Sequence, residues 1–197
     1  MVKNILVLAP HTDDAEFGCG GSIAKWVREG HKVSVIAFSH DRDDLKEEMI
    51  RAMGDLKVTD YTIHNYPVRR FPDRRQDILE HLVTVEKKMS LDLVVVPAST
   101  DRHQDHQVIA QEAFRAFKRH SIIGYEMPWN TVTFTYTMFV KLTEDDVFAK
   151  ALALDHYVSQ RHRNYAKEEY IWSLAKVRGI QIGRELAEAF EVVRWVE

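Results

Sequence analysis

Residues 2–9 form a nearly unbroken apolar run rich in branched side chains, followed by Pro10 and a polar turn. Such a run reads as a strand covered on both faces, as a parallel sheet requires. Residues 20–29 then place Ile23, Ala24, Trp26 and Val27 at helical spacing, with Gly30 as the residue that ends the helix. A second apolar run over 33–38 reads as another buried strand. Strand, helix and strand in this order make a βαβ unit with a right-handed crossover. The alternation continues with a helix over 45–56, a strand over 61–63, a helix over 76–88, a strand over 91–96 and a helix over 107–118. The pattern predicts an α/β fold: a Rossmann-like, mostly parallel sheet flanked by helices.

The texture changes after Gly124. Residues 131–137 alternate threonine with apolar or aromatic side chains, as a half-exposed strand does. Helices are predicted over 143–160 and 164–177, and a closing strand over 189–193, giving a C-terminal helical and strand addition. Residues 64–75, with Pro67, Pro72 and four arginines, read as an irregular loop. There is no internal repeat and no Gly/Ser-rich linker, so the expectation is one domain over 1–197.

Composition narrows the function classes. Lys+Arg is 27 and Asp+Glu is 30, a net charge of −3, which argues against a general nucleic-acid binder because phosphate neutralisation needs a basic stripe. No apolar run is long enough for a membrane span, and the start of the chain does not read as a signal peptide. The single cysteine, Cys19, excludes an internal disulfide framework and fits a reducing compartment. The expected location is cytoplasmic.

Two polar clusters carry the candidate chemistry. Pro10-His11-Thr12-Asp13-Asp14-Ala15-Glu16 directly follows the first strand, and ligands of open α/β sheets bind beyond the carboxyl ends of the strands. Adjacent carboxylates repel unless they share a cation, so the cluster invites a metal. The competing reading is a hydrophilic loop whose Asp or Thr caps the next helix. Thr100-Asp101-Arg102-His103-Gln104-Asp105-His106-Gln107 follows the 91–96 strand, with two histidines three apart entering a helix on one face. In a parallel sheet both turns open on the same edge. His11, Asp14 and His106 then supply two imidazoles and a carboxylate, the open three-ligand set of a catalytic zinc site, although the same set suits Fe2+ or another divalent ion.

Other signals are weaker. Gly18-Cys19-Gly20-Gly21 lies too far from the strand end for a dinucleotide fingerprint and reads as close backbone packing, with Cys19 an inert buried thiol. His40 to Asp44 faces the same rim as the two clusters. His31, His64, His81, His120, His156 and His162 have no partner at ligand spacing and read as structural or surface residues. The arginines at 69, 70, 74 and 75 read either as a solvated loop or as a lure for an anionic substrate.

Pro-His-x-Asp-Asp-Ala-Glu-x-Gly-Cys-Gly-Gly from residue 10, with Asp-Arg-His-x-Asp-His from residue 101, resembles the PIG-L/LmbE-like zinc-dependent de-N-acetylases. Tyr157-Val158-Ser159-Gln160 is similar to the family's Ser-Gln motif, and Arg184 to Phe190 to its Ala-Glu-Ala-Phe segment, so the likeness runs along nearly the whole chain. The resemblance implies that His11, Asp14 and His106 hold the metal, that Asp13 is the general base, that His103 stabilises the oxyanion, and that Asp105 orients a histidine. It implies hydrolysis of an N-acetyl group on a small molecule, such as an N-acetylglucosamine-type sugar or conjugate, by a zinc-activated water. It also admits a homo-oligomer. Thr12 and Gln104 depart from the family pattern at positions that are not ligands. Leu45 stands where many relatives carry a substrate-binding arginine, and Arg42 or Arg51 is the expected replacement. Two rival readings are a metal-dependent phosphoester hydrolase and a non-catalytic sugar- or nucleotide-binding module.

Overall fold

The computed structural model describes residues 2–197. Its chain order is β1 (Asn4–His11), α1 (Asp14–Arg28), β2 (Lys32–Ser39), α2 (Asp43–Asp55), β3 (Asp60–Ile63), α3 (Arg75–Lys88), β4 (Leu93–Pro97), α4 (Gln104–Ala116), β5 (Ser121–Tyr125), β6 (Met138–Leu142), α5 (Glu144–Asp155), α6 (Glu168–Gln181) and β7 (Leu186–Arg194). The strands form one seven-stranded sheet in the order β3-β2-β1-β4-β5-β7-β6. From β3 to β5 every pairing is parallel, whereas β7 runs antiparallel to both β5 and β6.

Both faces of this sheet are covered, which is why its central strands read as continuous apolar runs. On β1 the alternate residues Ile5, Val7 and Ala9 face one core with α1, α2 and α5. Leu6 and Leu8 face the other, with Ile78 and Leu82 of α3 and Ile109 and Ala113 of α4. The chain leaves β1 toward β2 and β3 on one side and places β4 on the other. The crevice between the carboxyl ends of β1 and β4 is therefore the topological switch point, where open α/β sheets bind ligands.

Several elements differ from the sequence expectations. The first helix begins at Asp14, not at residue 20, and bends at Cys19, whose φ of −149° is non-helical. Glycines allow that bend to pack: a Cβ at Gly18 would run into the Tyr125 ring, and one at Gly21 would come within 2.7 Å of Leu142. The expected strand over 131–137 does not form. The ladder on β7 starts only at Met138, because the Val192 amide donates to the Thr137 side-chain hydroxyl at 2.7 Å rather than to a backbone carbonyl. β5, a short buried strand, escaped the sequence reading. The helix expected to run to residue 160 stops at Asp155 and is followed by a short 3-10 turn, Val158–Gln160. The last strand is longer than expected and lies inside the sheet, between β5 and β6. No helix among the described residues is long and apolar enough to cross a membrane.

Candidate metal centre and cleft

His11 is the last residue of β1 and Asp14 the first of α1, so a two-residue turn brings them together. An acidic residue in the first turn of a helix is favoured by the helix dipole. His106 sits in the first turn of α4, with His103 as that helix's N-cap. The Asp101 carboxylate accepts the His103 amide at 2.8 Å, and this fixes the turn after β4.

Three ligand-type atoms converge across the switch point. Asp14 Oδ2 lies 3.1 Å from His11 Nδ1 and 3.1 Å from His106 Nε2. It also accepts the His11 backbone amide at 2.9 Å. Each imidazole is held from behind by a second carboxylate: His11 Nε2 by Asp105 at 3.1 Å, and His106 Nδ1 by Asp101 at 2.8 Å. Carboxylates in that outer position fix the ring orientation and raise the basicity of a histidine ligand. His11, Asp14 and His106 offer one atom each, all within 4.8 Å of one another, and so could hold a metal ion. Two imidazoles and a carboxylate are also a donor set that zinc accepts.

His11, His103 and Asp105 meet the same distance test. There, however, Asp105 is already engaged by the amides of Arg69 at 2.7 Å and Phe71 at 3.3 Å, and His103 Nδ1 by the Asp105 amide at 3.2 Å. Those bonds suit Asp105 to positioning His11 rather than to ligation.

The electrostatics follow the geometry. Burial acts to lower the pKa of both imidazoles. For His11 the hydrogen bonds to Asp105 and Asp14 override it and raise the value to about 9. For His106 the charge of Asp14 and the hydrogen bond to Asp101 raise it to about 10. Burial would raise Asp14, but His106 and His11 hold it well below the usual carboxylate range. Asp13 makes no hydrogen bond to them, and burial with the neighbouring Asp14 charge pushes it up to about 6 against the charges of His11 and His106. His103 is lowered by burial and by the charges of His106 and His11. Glu16 is fully buried under the turn, where burial pushes it up to about 8 against the hydrogen bond from Tyr157.

A cleft of about 570 Å³ opens over these residues. His11, Asp13, Asp14, His103 and His106 line it, together with Leu45, Val68, Arg69, Trp129, Asn130, Gln160, Arg163 and Tyr165. Gln160 is brought there by Ser159, whose hydroxyl and amide both bind the buried Glu48 carboxylate of α2, at 2.6 and 3.1 Å. The Trp129 and Tyr165 rings stack at 3.9 Å.

The structure thus brings together His11, Asp13, Asp14, His103, Asp105 and His106. It does not bring in Arg42 or Arg51. Arg42 folds onto Asp44 at 2.9 Å with its side chain 58% exposed, and Arg51 pairs with Glu47 at 3.8 Å on the exposed face of α2. Neither lines the cleft, whereas Leu45 does. In the sequence Asp101 has a place in the second polar cluster but no role there. Arg163, Trp129 and Tyr165 carried no local signal, because they reach the cleft from loops distant in sequence.

The family model described as PIG-L: GlcNAc-PI de-N-acetylase matches residues 6–117, more than half of the chain. The chain belongs to this family of deacetylases. The matched segment carries both clusters of the candidate metal centre. Among curated relatives, the uncharacterized deacetylase YaiS of Escherichia coli (strain K12) is 27% identical over 169 residues, covering 80% of this chain and 91% of that protein. Three solved structures share the PIG-L-family chain's fold. The conserved protein TT1542 of Thermus thermophilus has a TM-score of 0.81 at 21% identity, covering 100% of this chain and 97% of its own. GalB, the 4-carboxy-2-hydroxymuconate hydratase of Pseudomonas putida KT2440, has a TM-score of 0.80 at 20% identity over 100% and 99% of the two chains. The N,N'-diacetylchitobiose deacetylase of Pyrococcus horikoshii has a TM-score of 0.70 at 19% identity over 97% and 84%.

Proposed function

We propose that this chain is a metal-dependent N-deacetylase that hydrolyses the acetamide of a small N-acetylated molecule, an N-acetylglucosamine-type sugar or conjugate. The observation that carries the reading is the convergence of His11 Nδ1, Asp14 Oδ2 and His106 Nε2 at the sheet's switch point, with Asp105 and Asp101 backing the two imidazoles. These three residues would hold a divalent ion, zinc first, with Fe2+ or another divalent metal compatible with the same donors. Bound there, the ion would supply Lewis-acid polarisation of the amide carbonyl and a lowered water pKa.

Asp13 lines the cleft beside the three metal-holding residues without being one of them, which leaves its carboxylate free to act as a base. It takes the proton of the attacking water and returns it to the departing amine. His103 Nδ1 accepts the Asp105 amide, so the proton of the neutral ring sits on Nε2. The lowered pKa of His103 favours that neutral form. His103 therefore donates an Nε2–H to the carbonyl oxygen as it gains negative charge, with no need for a second ring proton. One such donor is worth roughly 3–4 kcal/mol in acyl-transfer sites. Asp105 and Asp101 are positioning residues.

The fold alone does not choose this chemistry, since one neighbour with the same fold is a hydratase. The test is acetate release by protein reconstituted with Zn2+ or Fe2+, from N-acetylglucosamine and N-acetylated sugar conjugates. Stoichiometric acetate and free amine that vanish in Asp13→Asn would support the reading. No amine from any N-acetylated substrate, alongside hydration of an unsaturated acid, would replace it with a hydratase.

A further inference from the structure

We infer that the cleft carries an anion subsite formed by the guanidinium groups of Arg69 and Arg163, so that the substrate bears a phosphate or carboxylate group beyond its acetamide. The inference rests on the deacetylase reading, and it adds the substrate's chemical class.

Both arginines line the cleft that contains His11, Asp14 and His106. They come from two different loops, one between β3 and α3 and one between α5 and α6. Among the described residues neither guanidinium is within ion-pair distance of a carboxylate. The other arginines of the same two loops are all paired: Arg70 with Asp73, Arg74 with Asp77, Arg161 with Asp155. Arg75, which opens α3, is paired with Glu112. Arg163 instead lies over the Tyr165 ring at 5.6 Å, within the aromatic wall of the cleft. A guanidinium left unpaired beside a cleft offers its planar fork of donors to an oxyanion, the geometry that suits phosphate and carboxylate.

Arg69 is also held in place at a conformational cost. Its φ is +63°, the left-handed region that non-glycine residues rarely adopt. Such backbone persists where its surroundings enforce it, and it clusters at binding sites. Here the enforcing groups come from the first turn of α4. The Arg69 amide donates to Asp105 Oδ2 at 2.7 Å, and its carbonyl accepts from Gln104 Nε2 at 2.6 Å. Asp105 is the same carboxylate that holds His11. The position of Arg69 is thereby tied to the candidate metal centre rather than left to a free loop. The acidic groups that share the cleft are Asp13, Asp14 and Asp41. Asp14 is engaged by the two histidines, and Asp13 has a proton-transfer role. Both are spoken for without the arginines, and among the described residues Asp41 makes no ion pair with either of them.

Two measurements test this on the full chain. The first is calorimetric binding to metal-free protein of glucosamine, glucosamine 1-phosphate, glucosamine 6-phosphate and muramic acid. The second is kcat/KM for acetate release from the corresponding N-acetylated compounds by the zinc-loaded protein. The expectation is that at least one phosphorylated or carboxylated ligand binds about 10-fold or more tighter than glucosamine, with the same order in kcat/KM. The phosphate and carboxylate members separate the two sources of the oxyanion. In Arg69→Gln/Arg163→Gln the ratio of anionic to neutral ligand falls below about 3. Arg69→Lys/Arg163→Lys, which keeps the charge and loses the fork, recovers part of it. If either pair fails to fold by circular dichroism, the single substitutions Arg69→Gln and Arg163→Gln replace it. Equal use of neutral and anionic substrates, or a preference that survives both glutamines, overturns the subsite and leaves the deacetylase reading standing. An arginine-dependent binding preference without acetate from any compound overturns the deacetylase reading and leaves the subsite standing.

Discussion

Lys150 Nζ and Glu188 Oε1 meet at 2.7 Å inside the bend of α1 at Cys19. The Phe17 carbonyl and the Gly21 amide pair with each other in a regular helix. Here Lys150 donates to the Phe17 carbonyl at 2.7 Å, and Glu188 accepts from the amides of Gly21 and Ser22 at 3.1 and 2.7 Å. An ion pair from α5 and β7 thus caps both sides of the break. It fixes the first half of α1, which carries Asp14, against the C-terminal part of the chain.

Removing one member of this pair leaves the other buried without its counter-charge, a change that costs about 3–5 kcal/mol in buried pairs. Glu188→Ala and Lys150→Met are each expected to lose that much stability in urea unfolding. A loss below about 1 kcal/mol in both would show that the bend closes without them.

His106→Ala should lose stoichiometric metal, because it deletes one of three donors. Asp101→Asn keeps all three donors but leaves one acceptor oxygen to serve both His106 Nδ1 and the His103 amide, each 2.8 Å from the carboxylate, and it removes the charge behind His106. Losses of about 10–100-fold in metal affinity follow such changes. Competition with a chelator measures both. Unchanged affinity in Asp101→Asn would remove Asp101 from the centre.

Asp13→Asn should retain the metal and lose turnover by about 10²–10⁴-fold, the usual worth of a general base. Elemental analysis and acetate release on the same preparation separate the two effects. A mutant near the wild-type rate would transfer the role to another acid.

His103→Ala should lower kcat more than it raises KM, because an oxyanion contact strengthens mainly in the transition state. A change confined to KM would make His103 a substrate-positioning residue instead.

His64 and His81 lie with ring centroids 4.4 Å apart, and the Nε2 atoms of both are buried without a hydrogen-bond partner. Burial lowers both pKa values below the ordinary 6.5, with the nearby His81 charge adding for His64 and that of Lys88 for His81. The unfolded chain therefore binds more protons as pH falls from about 6.5, and the folded state loses stability through that window. The midpoint temperature should drop between pH 7.5 and 5.5 by more in the wild type than in His81→Phe. Equal drops would place the acid sensitivity elsewhere.

The hydrophobic pattern alone marked out β1, β2 and β4 of the parallel sheet, because strands buried on both faces are apolar at nearly every position. It also set both polar clusters at strand ends, and a parallel sheet has one edge where those ends meet. His11, Asp14 and His106 were legible for that reason. The tertiary structure decided what depends on distant chain segments. Asp105 reaches the His11 imidazole only once β1 and β4 lie side by side, whereas Asp101 and His106 already share the turn after β4. Whether an arginine enters the cleft is decided by its partners: Asp44 and Glu47 draw Arg42 and Arg51 to the surface. Asp105 and Gln104 hold Arg69 at the rim. The failed strand over 131–137 has the same origin. Its alternation is real, but a ladder needs free donors on the neighbouring strand, and the Thr137 hydroxyl takes the one that Val192 offers.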